Sequence, residues 1–298
     1  MRVTFSATFR NLVRDTARAA EEMVKRQFEV SSGRRVRVPS DDPQAISAIV
    51  GERAEMRATD RYVRATDSVE SRLTVVDTIL SDIGKMLTAA QTTAAAARNS
   101  FVTPQQQEAY ALELEGLRDT ILGDLNTQYR GTYVFSGTAS LKAPYTKDSS
   151  GAVGPYEGNA EPMLVDIGRH RSVGVTVDGQ QLAQGSDASN VFEVFESLIA
   201  AVRAGDLEGI GQGMTGLSRA LDRVANVQSR VGAGLSDLND HRVRLAEASE
   251  AADVRRSALE DANLAESISA MQQAEVAYRA GLGAASKTSQ LSLFDYLG

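Results

Sequence analysis

The sequence predicts a mainly α-helical protein that carries a small inserted β domain. Three observations predict this class: narrow apolar stripes of helical period at both ends, long helical patterns between them, and one glycine-rich segment of short alternating runs. We therefore expect paired N- and C-terminal helices of coiled-coil type, an elongated helical trunk and an outer β domain.

The stripes at the two ends indicate helices that need a partner. In the N-terminal stripe apolar and small residues recur at alternating steps of four and three, and the C-terminal stripe is similar but carries Glu275 at one place. A lone helix with so narrow a stripe is marginal in water, so these helices must pair with each other, with further copies, or with both. The predicted assembly interface comprises Phe5, Phe9, Leu12, Met23, Leu264, Ile268, Met271, Tyr278, Leu282, Leu291, Leu293 and Phe294.

The stretch "SSGRRVRVPSDDPQAI" predicts a joint between two helices. Glycine suits the left-handed residue that ends a helix, whereas an aspartate followed by proline suits the start of the next one. Negative charge there also favours the positive end of the helix dipole. Binding of a polyanion is the alternative role for these arginines. Arginines that are solvated or that contact another subunit fit an acidic chain better. The predicted joint comprises Gly33, Arg34, Arg35, Arg37, Pro39, Asp41, Asp42 and Pro43.

Two further helical blocks flank the predicted insert. One runs from about Pro43 to Ser100 and continues after "TPQQQEAY", where Thr103 can cap a helix and Pro104 suits its first turn. The other runs from about Asn190 to Arg256. The predicted division is terminal helices at 1–32 and 257–298, a linker at 33–42, a helical trunk at 43–130 and 190–256, and a β domain at 131–189.

Residues 131–189 read as β structure. Nine of the 24 glycines and three of the six prolines fall here, and runs such as "TYVFSG" and "SVGVTVDG" end in turn residues. The pair Asp178-Gly179 predicts a hairpin turn.

Composition argues against catalysis and against nucleic-acid binding. The net charge is −7, whereas phosphate binding calls for a basic surface. No cysteine is present, and the two histidines, His170 and His241, lie in different segments, so we expect neither a metal site nor a cofactor. The glycines of "GQGMTG", Gly211, Gly213 and Gly216, fit a dinucleotide fingerprint on paper, but a helical pattern precedes them where a strand is required. We expect a glycine-weakened helix there and no enzyme.

The route out of the cell is also constrained. The opening "MRVTFSATFRNLVRD" is charged every few residues and lacks the apolar core of a cleaved secretory signal. No run of eighteen apolar residues is present, so we expect no membrane span. If the protein is exported, we expect a route that does not use a classical signal.

Four segments resemble the bacterial flagellin superfamily. "SSGRRVRVPSDDPQAI" is similar to the signature that follows the first helix of these proteins. "GTYVFSGTASLKAPY", "NVFEVFESLIAAVRAGD" and the terminal "ASKTSQLSLFDYLG" are similar to members located between hook and filament. The resemblance spans the whole length and implies a flagellin-like fold, with Val3–Val30 and roughly Leu259–Leu297 as the assembly helices.

The resemblance also implies a role and partners. The chain would be an extracellular structural subunit of the flagellum, exported through the flagellum-specific type III channel, that forms a ring or helical homo-oligomer. Its implied partners are another hook-associated protein on the hook side, flagellin on the filament side, and an export chaperone on the C-terminal helix. A filament flagellin, a dinucleotide-binding oxidoreductase and a cytosolic coiled-coil adaptor stay open as alternatives.

Overall fold

A computed structural model describes residues 2–148 and 151–297, with side chains described for residues 7, 9–148 and 151–287. The chain divides into two compact units. Unit 1 contains residues 1–58 and 247–298, and unit 2 contains residues 59–246. The helices are α1 (Arg2–Ser32), α2 (Pro43–Ala97), α3 (Pro104–Leu125), α4 (Gly179–Ala183), α5 (Val191–Ala204), α6 (Leu207–Glu260) and α7 (Leu264–Leu297). The strands are β1 (Gln128–Tyr129), β2 (Thr132–Tyr133), β3 (Leu164–Gly168) and β4 (Arg171–Gly174).

The prediction of a mainly helical chain with paired terminal helices and small β elements is confirmed. In unit 1, α1 and α7 pack against each other, and the ends of α2 and α6 within this unit are joined by ion pairs such as Arg255–Glu52. A small core of Val36, Ala45 and Ile49 lies beside them, with Leu259 packed against it. The terminal helices therefore belong to one unit with the joint.

The larger core lies in unit 2. It is formed by the unit 2 part of α2 with α3, α5 and the first part of α6, through residues such as Leu80, Leu114, Phe195 and Leu217. Helix α3 begins as predicted, because Thr103 and Gln106 form a capping box and Pro104 follows the cap.

Two antiparallel hairpins and a short helix make up the β-containing insert of unit 2. Strand β1 pairs with β2, and β3 pairs with β4 with an irregularity between Asp166 and Gly168. The hairpin turn predicted at Asp178-Gly179 is wrong: Asp178 caps α4 by accepting a hydrogen bond from the backbone N–H of Gln180. An aspartate that favours a turn equally favours a helix start, and the sequence around it did not separate the two.

The predicted helical block from Asn190 to Arg256 is in fact two helices. Gly205 adopts a left-handed conformation, with φ of +67°, and ends α5 before α6 begins at Leu207. Helix α6 then continues to Glu260, so the last helix starts at Leu264 rather than near Leu259.

Candidate functional site

The joint is a folded connection that several backbone and side-chain hydrogen bonds hold together. Gly33 has φ of +70° and its N–H donates to the carbonyl of Glu29, which ends α1 as predicted. Asp42 accepts a hydrogen bond from the backbone N–H of Ala45 at 3.0 Å and so caps α2, and Pro43 opens that helix. Both local predictions for the joint are confirmed.

Asp41 closes the turn inside the joint. Its carboxylate accepts hydrogen bonds from the backbone N–H groups of Val38 and Arg37, both at 3.0 Å. These bonds lower the pKa of the Asp41 carboxyl below its ordinary value, and the bond from Ala45 does the same for Asp42. The adjacent aspartates thus hold backbone amides and do not converge on a substrate.

A buried carboxylate at the end of α6 also holds the joint in place. Glu260, the last residue of α6, is 0% exposed and forms ion pairs with Arg34 at 3.0 Å, Arg53 at 2.6 Å and Arg256 at 2.9 Å. Its backbone carbonyl also accepts hydrogen bonds from the N–H groups of Arg35 and Val36. Because this one residue binds both the linker and α2, it fixes the joint against the end of α6.

The arginines of the joint have separate tasks. Arg34 binds Glu260, whereas Arg35 lies 3.4 Å from Asp42 and donates to the carbonyl of Leu259. Arg37 lies over the ring of Phe28, 4.6 Å from its centroid. Each of the three guanidinium groups thus has a partner of its own within the chain.

Two breaks between helices lie at the same place in unit 1. The N–H of Ala262, in the break between α6 and α7, donates to the carbonyl of Gly33, in the break between α1 and α2. Backbone hydrogen bonds therefore join the α1–α2 connection to the α6–α7 connection. The spacing of residues in the sequence did not indicate this pairing. The burial of Glu260 at the end of α6 was not predicted, because nothing in the sequence around an isolated glutamate indicates that its side chain is buried.

The contact between α1 and α7 includes small and polar residues. Glu29 accepts a hydrogen bond from the Ser267 hydroxyl at 3.0 Å, and Gly281 lies against Thr16, so the two helices run antiparallel. A Cβ on Gly281 would come within 2.5 Å of the Thr16 Oγ1 atom. These two contacts show that the surface between α1 and α7 includes small and polar residues.

The predicted assembly residues divide into three groups. Half-buried side chains are those of Phe9, Leu12, Met23, Met271 and Tyr278, whereas Leu264, Ile268 and Leu282 are exposed. Phe5, Leu291, Leu293 and Phe294 lie outside the residues whose side chains the structure describes. Several apolar side chains of the stripes therefore retain exposed surface after α1 and α7 have paired.

The candidate cofactor sites do not form. The glycines at 211, 213 and 216 lie inside the first turns of α6, and the element before them is helix α5, so the strand that a dinucleotide site requires is absent at that position. His241 contacts the carbonyl of Ile167 at 2.8 Å, in a structural contact between α6 and β3. Among the described residues, no group of three or more histidines and carboxylates could hold a metal ion, and none of their helices has the length and hydropathy needed to cross a bilayer.

Comparisons with known proteins agree with this arrangement. The family model for the bacterial flagellin N-terminal helical region matches residues 7–140. The flagellar hook-associated protein 3 of Escherichia coli K12 is 24% identical over 261 residues, which cover 80% of this chain and 81% of that protein. The protein of the same name from Salmonella typhimurium LT2 is 24% identical over 263 residues, with the same coverage.

Solved structures show the same fold. A flagellar hook-associated protein from Vibrio parahaemolyticus superposes with a TM-score of 0.69 at 22% identity, covering 74% of this chain and 99% of its own. FlgL of Xanthomonas campestris superposes with a TM-score of 0.61 at 17% identity, covering 68% and 98%.

The fold is flagellin-like, with long N- and C-terminal helices packed together, and residues 7–140 match the flagellin N-terminal family model. Over four-fifths of its length the chain is similar to flagellar hook-associated protein 3.

Proposed function

We propose that the chain is a structural subunit of the bacterial flagellum that assembles with itself at the hook–filament junction and adapts the hook lattice to the filament lattice. The observation that carries this is the similarity to two hook-associated proteins 3 over four-fifths of both chains. The physical arrangement fits, because the terminal helices pair yet keep apolar side chains such as Leu264, Ile268 and Leu282 on the surface.

The partners that we propose follow from that location. A hook-associated protein would lie on the hook side and flagellin on the filament side. An export chaperone would bind the C-terminal helix before assembly, and the subunit would leave through the flagellum-specific type III channel. A ring requires contacts between unlike surfaces of neighbouring copies, and the exposed residues of α7 are one side available for such contacts.

Immunogold electron microscopy of flagella from the native host tests the location. An antibody against this chain should label one short zone where the hook meets the filament. Label along the whole filament would instead identify a filament subunit, the nearest alternative. Label confined to the cytosol in fully flagellated cells would support the coiled-coil adaptor and exclude an axial role.

A further inference from the structure

Arg72 is a buried cation without a carboxylate partner. It lies on α2 within unit 2, and only 7% of its surface is exposed. Among the described residues Arg72 forms no ion pair, and its Nε–H group is buried without a hydrogen-bond partner. A buried charge that no counter-ion compensates lowers stability, so packing of the core does not explain an arginine at this position.

The Arg72 guanidinium binds the hairpin formed by β1 and β2. Its Nη1 atom donates a hydrogen bond to the Thr132 hydroxyl at 3.1 Å, and its Nη2 atom donates to the Tyr133 carbonyl at 3.2 Å. The guanidinium carbon also lies 5.9 Å from the centroid of the Tyr129 ring. In the part of the chain that the structure describes, both hydrogen bonds of the Arg72 side chain therefore end on the hairpin and tie it to α2.

The hairpin is too short to hold its position alone. Each of its strands has two residues, and the pairing is extended by a backbone hydrogen bond from the Val134 N–H to the Thr127 carbonyl at 3.3 Å. A two-stranded hairpin is marginally stable in water by itself. The position of the hairpin on unit 2 therefore depends on its contacts with α2.

The turn of the hairpin contains a residue that is unfavourable there. Arg130 and Gly131 are its two central residues, with φ of +51° and +79°, and a type I′ turn requires a positive φ at both. Glycine and asparagine adopt such angles readily, whereas a long side chain is strained. Among the described residues Arg130 is the only one other than glycine with a positive φ. The chain thus keeps strain in this turn that asparagine would relieve.

Arg130 adds a second cation at the same place. Its guanidinium carbon lies 5.3 Å from the centroid of the Tyr129 ring, which Arg72 also contacts. In the described part of the chain Arg130 forms no ion pair either. Because like charges repel, the closed hairpin is less stable than it would be with one cation. Strain and repulsion therefore both oppose the contact that Arg72 makes.

The rest of the insert has anchors that do not depend on this hairpin. Phe135, Tyr145 and Ile167 are at most 2% exposed in the core of unit 2. The side chain of Asn126 also forms two hydrogen bonds with the backbone of Tyr145, at 2.8 and 3.2 Å. Opening of the hairpin would leave these contacts in place, so it can occur without unfolding of the unit.

We propose that the β1–β2 hairpin is a strap that opens and closes on α2 while the helical core of unit 2 stays folded, and that Arg72 is its latch. In the closed state two neutral acceptors and a ring hold the Arg72 guanidinium. In the open state water would solvate the cation, which offsets the loss of those contacts. An anion bound at Arg72 is the weaker explanation, because its unpartnered Nε–H is buried where no ligand reaches it.

The strap lies where the chain passes from α3 into the insert. Its opening would move the base of the insert without any change in the helices, and it would expose Tyr129 with two arginines beside it. The strap does not depend on the proposed location in the flagellum, so the failure of one proposal leaves the other standing.

Arg72→Met tests the latch in the full-length chain. Hydrogen exchange of segment 128–133, measured by mass spectrometry, should accelerate by about tenfold or more, because two hydrogen bonds to the hairpin are lost. Exchange of α3 should be unchanged, and the unfolding temperature should stay at the wild-type value or rise, since the removed cation had no counter-ion. Arg64→Met, at an exposed arginine of the same helix, is the matched control and should change none of these quantities. Unchanged exchange of the hairpin, or equal acceleration in α3, would overturn the proposal.

Arg130→Asn tests the strap in the opposite direction. Asparagine suits the positive φ and removes the second cation, so exchange of the same segment should slow by about fivefold or more after correction for intrinsic rates. Arg130→Gln removes the cation without relieving the strain and should slow exchange by less. If the Asn variant exchanges as fast as the wild type or faster, neither strain nor charge opposes the closed hairpin, and the strap is excluded.

Discussion

Single residues at the connections between helices hold unit 1 together. Glu260 combines an exposure of 0% with three arginine partners, of which Arg34 and Arg53 keep about half of their side-chain surface in water. The carboxylate is thus desolvated, whereas two of its partners are not. Removing the carboxylate leaves arginines that water can solvate. The loss in the free energy of unfolding should therefore be smaller than for a fully buried ion pair.

Glu260→Ala tests this anchor. We expect a loss of about 2 kcal/mol in the free energy of unfolding, as for a hydrogen-bonded charged group. Hydrogen exchange of the Arg35, Val36 and Ala262 amides should also accelerate, because their acceptors lie at the joined breaks. Glu21→Ala, an exposed glutamate on α1, is the matched control and should change neither quantity. Unchanged exchange in the Glu260 variant would contradict the anchoring role.

Gly281 sets the approach of α7 to α1. In Gly281→Ala the new methyl group would meet the Thr16 hydroxyl, so the pairing of the terminal helices should weaken by about 1–3 kcal/mol. Gly283→Ala is the matched control, because nothing lies within 4 Å of its Cβ position and alanine favours a helix by about 1 kcal/mol. Thermal unfolding should rank Gly283→Ala above wild type and Gly281→Ala below it. The reverse order would show that the helices do not touch at this place.

At the scale of elements, glycines in α6 serve packing and not cofactor binding. A Cβ on Gly213 would come within 2.9 Å of Leu198, and one on Gly216 within 2.7 Å of Val194, both on α5. These glycines therefore let α5 and α6 lie close together. The close packing offsets the helix stability that these glycines are expected to cost. The number of glycines alone does not indicate this packing.

Gly213→Ala tests the close approach of α5 and α6. We expect a loss of about 1–3 kcal/mol from overpacking against Leu198. Gly232→Ala, further along α6 with nothing within 4 Å of its Cβ position, should instead gain about 0.5–1 kcal/mol. Urea unfolding of both variants measures the difference. Equal stabilisation by the two alanines would mean that α5 and α6 are not in contact at Gly213.

Local signals in the sequence were sufficient to predict where helices begin. They were insufficient to predict contacts between residues that are far apart in the sequence. Thr103-Pro104 and Asp42-Pro43 carry their caps within four residues, so the starts of α3 and α2 were predictable. Asp178-Gly179 carries a signal that is common to turns and helix caps, so the local sequence alone does not distinguish the predicted turn from the cap that forms. The burial of Glu260 depends on arginines up to 226 positions away, and no local pattern reports it.

For the whole molecule, the exposed apolar residues of α7 predict an effect on assembly that is separate from folding. Leu282 is 48% exposed, so Leu282→Asp should leave thermal unfolding of the isolated chain nearly unchanged. Incorporation into flagella should nevertheless fall by about tenfold or more, since the charge would enter a contact with a neighbour. Leu112→Asp, at an exposed leucine of α3, is the control and should incorporate normally. Full incorporation of the Leu282 variant would remove α7 from the assembly contact.

The most direct measurement is deletion of the gene in its own motile host, with electron microscopy of the cells and an assay of flagellin in the medium. A junction subunit is the foundation of the filament, so the deletion should give bare hooks with flagellin shed into the medium, and the wild-type gene should restore filaments. Bare hooks without shed flagellin would contradict the junction role and point to the filament subunit itself. Normal filaments in a strain with no second copy of the gene would contradict any axial role.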